Sequence, residues 1–215
     1  MQAAEDSPTP YESPLDLRGG GLFDNRELSA IAMVAALHFV VSFAARLSGT
    51  ILYVFLGPLY VFLNGIGDEG IPCLLVAVIV TLIPRVGTAA LTITTVFLLN
   101  GICSGSFSVA AAMLVLVSIV SHEVILGLFG ITKLERLEST AAAATPALVA
   151  RTALAIGLAN GAALYGQFAI SINIYEFHFD IWFVHAVALI VGVGYGAIGA
   201  AIGTRWGFQL RKTAP

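Results

Sequence analysis

Apolar residues in this chain come in long runs, not in alternation, and each run is closed by glycine, proline or charge. Six runs read as helices: Glu27 to Leu47, Gly70 to Ile83, Gly87 to Cys103, Ser108 to Ile131, Pro146 to Ile172 and Ile181 to Gly203. Several approach the ~20 residues that a bilayer core requires. The pattern therefore predicts an all-α membrane protein with six transmembrane helices. Asn25 reads as the N-cap of the first helix, with Glu27 in its first turn. Pro146 opens the fifth at a position where its missing N–H costs nothing.

Charge then orients the helices. With the N-terminus inside, nine of the ten Lys and Arg residues (Arg18, Arg26, Arg85, Lys133, Arg136, Arg151, Arg205, Arg211 and Lys212) lie on the cytoplasmic side, and only Arg46 lies outside. This is the excess that membrane insertion produces. Counting Ile51 to Ile66 as a seventh crossing would divide the nine between two sides, so six crossings with both termini cytoplasmic are expected. Composition agrees, at 58% hydrophobic and 11% charged residues, with a mean hydropathy of +0.93. The localisation that follows is a cell membrane, multi-pass, of the prokaryotic plasma-membrane type. No basic stripe marks the chain for nucleic acid.

The domain organisation expected is a disordered cytoplasmic tail over 1–26, a six-helix domain over 27–207 and a short cytoplasmic tail over 208–215. The first tail is rich in Pro, Ser and acid (Pro8, Pro10, Pro14, Glu5, Asp6, Glu12, Asp16) and has neither a basic nor an apolar segment of a signal peptide. Cys73 and Cys103 lack metal or redox spacing and read as small apolar residues.

The stretch from Gly49 to Glu69, GTILYVFLGPLYVFLNGIGDE, is apolar and aromatic but interrupted by Gly57-Pro58, Gly65 and Gly67. It reads as an outer-face loop or re-entrant segment between helices 1 and 2. Irregular backbone at membrane depth is tolerated only against protein or a cavity, so the stretch is a candidate lid. At its end Asn64, Asp68 and Glu69 meet at the outer surface, where a solvated loop explains the carboxylates equally well. Small residues recur at Ala32 and Ala36, and at Gly192, Gly196 and Ala200. This four-residue spacing lets another helix come close.

Candidate chemistry centres on His122-Glu123, in an otherwise apolar helix where a charged side chain costs ~3 kcal/mol on insertion scales. The pair suits ligand binding, a proton relay, or a His/Glu lock between helices, with His38 as a neighbour by depth. Asn100, Asn160, Tyr165, Gln167 and His185 form a second tier; Asn100, Gln167 and His185 fall in the outer halves of three helices. Interhelical hydrogen bonding explains them as well. Substrate-binding candidates are thus Glu123, His122, Asn100, Gln167, His185 and Asn64. His38, His122, His178 and His185 lack metal-site spacing, so no metal and no cofactor is expected. With no Walker loop, G-x-S-x-G or H-E-x-x-H motif the chain does not read as an enzyme.

Leu56-Gly57-Pro58, the turn Ile83-Pro84-Arg85-Val86-Gly87-Thr88-Ala89-Ala90, the A-x-x-x-A face at Ala32 and Ala36, and Glu123 in the fourth helix together give a resemblance. From roughly Glu27 to Gly207 the chain resembles the S components of energy-coupling factor (ECF) transporters, and more narrowly the YkoE-like type linked to thiamine or hydroxymethylpyrimidine. The resemblance implies a substrate-capture subunit of an ATP-driven vitamin importer, with a transmembrane coupling protein and a pair of ATPase subunits as partners. Ala32 and Ala36 would then contact the coupling protein, with Gly192 and Gly196 supporting close packing nearby. Nickel and cobalt members of the wider group carry a His near the N-terminus. Met1-Gln2-Ala3-Ala4 has none, which argues against metal uptake. The rival readings are a proton-coupled secondary carrier and an intramembrane enzyme, both using His122 and Glu123.

Overall fold

A computed structural model describes residues 23–56, 66–105, 107–132, 145–175 and 180–213. The described residues are helical and without strands: α1 (Asn25–Leu56), α2 (Ile71–Leu82), α3 (Thr88–Ser104), α4 (Val109–Leu128), α5 (Pro146–Tyr175), α6 (Ile181–Val187) and α7 (Gly196–Thr213). π-Helical stretches at Ile66–Gly70 and Ala188–Tyr195 lead into α2 and join α6 to α7. Four helical stretches are long and apolar enough to cross a membrane: Asn25–Gly49, Val109–Leu128, Pro146–Asn173 and Ile181–Arg211. This is a membrane protein by length and composition.

Local chemistry sets the helix ends. Asp24, one residue before the expected cap, caps α1 reciprocally with Glu27: Glu27 N donates to Asp24 Oδ1 at 2.7 Å and Asp24 N to Glu27 Oε2 at 3.0 Å, a capping box. Ser108, Thr145 and Asp180 accept from the first turns of α4, α5 and α6 in the same way. Gly105 ends α3 in the left-handed region, at φ 64°, a conformation that costs glycine little.

Two expected boundaries move. The first helix continues to Leu56, beyond Leu47, so Gly49 to Leu56 is helix and not loop. The last continues to Thr213, through what was expected to be a tail. The acidic N-terminal stretch up to residue 22 and the 57–65 part of the lid lie outside the described residues.

Contacts tie one set of helix ends together. Arg85, after α2, pairs with Glu27 in the first turn of α1 at 3.2 Å. Glu123, near the end of α4, bonds to the start of α3, and Arg151 in α5 donates to the carbonyl of Phe129 just past α4. A guanidinium there also complements the negative end of the helix dipole. Gly207 in α7 packs on Thr81 near the end of α2. The basic residues Arg26, Arg85 and Arg151 thus share one end of the bundle.

The exterior is apolar, with Met33, Val109, Leu128 and Trp182 all exposed, as expected where lipid is the solvent. Inside, Ile79, Leu126, Ile131 and Ile156 are fully buried, with small residues at the tightest approaches. Three buried hydroxyls are satisfied by their own helices: Thr81, Thr92 and Thr204 donate to the carbonyls of Ala77, Thr88 and Ala200 four residues back.

α2 differs from the expected full crossing. Its 12 residues rise about 18 Å, well short of the ~30 Å hydrocarbon core. The space beside Gly199 ends at the carbonyl of Gly70, just before α2 begins, and Glu69 meets Asn160 midway along α5. The start of α2 is therefore inside the bundle.

Candidate functional site

That internal start opens a cavity of about 450 Å³, walled by α1, α2 and the turn before it, α3, α4 and α5. The size falls in the range of organic-ligand pockets, roughly 300–1,000 Å³. Ser104 and Ala111 lie toward the end opposite the basic residues, and His122, Cys73 and Val76 line the interior. Its polar groups are His38, Asp68, Glu69, Asn100, Ser104, Ser118, His122, Asn160 and Gln167, while Phe97, Leu114 and Leu164 contribute apolar wall. Among the described residues that line it there is no Lys or Arg.

The polar side chains are held from behind. Asn160 Nδ2 donates to Glu69 Oε2 at 2.7 Å and to the Gly192 carbonyl at 3.2 Å. One amide thus ties the turn before α2 to the π-helical stretch of the last helix. Gln167 Nε2 donates to Ser118 Oγ at 2.8 Å and to the Leu114 carbonyl at 3.4 Å, fastening α5 to α4. His122 is buried, and its Nδ1 lies 2.9 Å from the Ser118 carbonyl. A carbonyl can only accept, so Nδ1 carries the proton. Asn100 Nδ2 donates to the Val96 carbonyl one turn back at 2.9 Å.

Of the residues expected to bind substrate, His122, Asn100 and Gln167 line this cavity. Glu123 does not. Its carboxylate accepts from Gly87 N at 3.0 Å through Oε2 and from Ala90 N at 2.9 Å through Oε1. It satisfies donors that the start of α3 leaves open, as a capping carboxylate does. Adjacent positions on a helix point about 100° apart, and here His122 faces the cavity while Glu123 faces the α3 start. His185 is also elsewhere, stacked on Tyr165 with ring centroids 5.2 Å apart and planes at 4°. Asn64 lies outside the described residues.

The partner-face expectations divide likewise. Ala32 and Ala36 are exposed on α1 beside Met33 and Leu37. Gly192 and Gly196 are buried and serve the chain's own packing. A methyl at Gly192 would stand 2.7 Å from Gly161 Cα, and one at Gly196 would stand 3.3 Å from Asn160 Cβ and 3.4 Å from Cys73 Sγ. They bring the last helix against α5 and α2 and are not free for a partner helix.

Asp68 and Glu69 are the cavity residues that sequence reasoning set at the outer surface. Gly65, Gly67 and Gly70 around them mark a backbone that can dip between helices. That signal was present, but a solvated loop carries the same one. Among the described residues, no three His, Cys, Asp or Glu side chains gather as metal ligands. The chain matches no protein-family model, and no curated protein or solved structure matches it.

Proposed function

We propose that this protein is the membrane-embedded capture subunit of an ECF-type importer, with both termini cytoplasmic, six passes of which α2 and the turn before it make a shortened one, and the cavity as its solute site. The observation that carries the reading is a ligand-sized polar cavity inside an apolar helical bundle, extending toward the end opposite Arg26, Arg85 and Arg151. Excess Lys and Arg mark the cytoplasmic end, so the cavity faces the outside, where a scarce solute is met. The polar groups there are costly in a membrane protein unless they are used. The exposed Ala32 and Ala36 leave α1 free to receive a transmembrane coupling protein, which would bring the ATPase pair. A vitamin or vitamin precursor, of which thiamine and hydroxymethylpyrimidine are the first to try, suits the cavity by size.

The carrier and enzyme readings shared His122 and Glu123 as a working pair. With the Glu123 carboxylate on the α3 backbone, the two side chains have separate partners, and capture is the reading we retain.

Native mass spectrometry of the detergent-purified chain tests it. A vitamin-sized molecule should co-purify, or bind when thiamine, hydroxymethylpyrimidine, biotin or riboflavin is added, and should be lost in Ala111→Trp, which fills the cavity. An empty protein that takes up none of these would refute capture.

A further inference from the structure

We propose that the cavity is an array of hydrogen-bond acceptors that selects a small organic cation with several N–H donors and rejects carboxylate-bearing solutes. The candidate class is guanidinium, amidinium or amino-substituted cationic rings. This rests on the capture reading and goes beyond it, because it follows from what each side chain has already spent on the protein.

Asn160 places its NH₂ on the Glu69 carboxylate and the Gly192 carbonyl. The carbonyl can only accept, which also fixes the amide's orientation. Its unspent atom is the oxygen, Oδ1. Gln167 gives its NH₂ to Ser118 Oγ and the Leu114 carbonyl, again leaving its oxygen. The His122 proton on Nδ1 goes to the Ser118 carbonyl, so the neutral ring has only the lone pair of Nε2 to offer. Glu69 uses Oε2 for Asn160 and retains Oε1.

Four side chains from three separate parts of the fold thus keep acceptors and spend donors. The Ser118 hydroxyl, which accepts from Gln167, still has its own proton to give. The charge agrees: Asp68 and Glu69 line the cavity, and no described lining residue is Lys or Arg. A carboxylate or phosphate entering would find like charge and few donors, and an unpaired buried charge is strongly disfavoured. A cation with N–H groups would find charge-assisted acceptors, the stronger kind of hydrogen bond. Phe97 also lines the α3 wall, and aromatic rings are compatible with a cationic solute.

The full-length chain in detergent is titrated with thiamine and agmatine as cations and with biotin as a carboxylate, by calorimetry, for the native chain, Ala111→Trp and Glu69→Gln. At least one cation is expected to bind the native chain, and Glu69→Gln to weaken it about 30-fold or more. Biotin should not bind. The Gln variant keeps an oxygen for Asn160 and so preserves the internal bond. If it nevertheless fails to assemble, Gln167→Met removes a neutral acceptor and should weaken the cation about 5-fold.

Biotin binding that is lost in Ala111→Trp would overturn the acceptor proposal and leave the capture reading standing. The same holds for cation binding that Glu69→Gln leaves intact, or, where that variant does not assemble, that Gln167→Met leaves intact. No binding by any of these probes would overturn the proposal. If riboflavin and hydroxymethylpyrimidine also fail to bind and nothing co-purifies, capture falls with it.

Discussion

Gly203→Ala tests how closely α2 and α7 approach. Gly199, Gly203 and Gly207 fall four residues apart along α7, and each meets α2 or the residue before it. A methyl at Gly203 would overlap the Leu74 carbonyl oxygen, and would lie 2.8 Å from its carbon and 3.0 Å from Ala77 Cβ. Favourable carbon contacts sit at about 3.5–4.0 Å, so the helices must part by several tenths of an ångström to about 1 Å. The obstacle is backbone, which cannot swing aside like a side-chain end.

Overpacking of this kind costs about 1–3 kcal/mol, which for a chain of this length lowers Tm by about 2–12 °C. Gly127→Ala is the matched control, since a methyl there meets nothing within 4 Å. Membrane helices persist when they separate, so helix propensity contributes little to either variant, and the control should melt with the native chain. Thermal unfolding in detergent, followed by loss of the monodisperse peak in size-exclusion chromatography, reads the difference. Gly203→Ala and Gly127→Ala melting together would refute the close packing of α2 on α7.

Two further outcomes separate roles that the sequence left joined. Glu123→Ala strands the N–H groups of Gly87 and Ala90, so it should lower stability by about 1–3 kcal/mol while solute affinity, measured by calorimetry, stays unchanged; loss of binding with unaltered melting would return Glu123 to the solute site. Ala36→Trp, on an exposed face of α1, should leave Tm and solute binding as they are and abolish co-purification with a coupling protein expressed alongside; retained co-purification would move the partner surface elsewhere.

The sequence by itself determined the class, roughly where the helices lie and the end that carries positive charge. Long apolar runs closed by Gly, Pro and charge are local signals, as are Ser108 before α4 and Pro146 at the start of α5. Arg85 and Arg151 lie at one end because each is a short chain distance from a helix terminus, and no tertiary information is needed to see it. His122, Asn100 and Gln167 were legible as polar residues in apolar helices, where polarity itself is the signal.

Tertiary structure decided what each polar group does. Glu123 and Glu69 are both carboxylates near apolar helices, and nothing local distinguishes a cap from a cavity wall. The difference comes from the partners across the bundle, Gly87 and Ala90 for one and Asn160 for the other, which lie 36, 33 and 91 residues away in the chain. The same holds for glycine: Gly192 and Gly196 share the spacing of Ala32 and Ala36, yet one pair is consumed in internal packing and the other left exposed. Four-residue spacing records that a helix face is flat. What meets that face depends on the azimuth at which each helix docks, and that is fixed only when all the helices pack together.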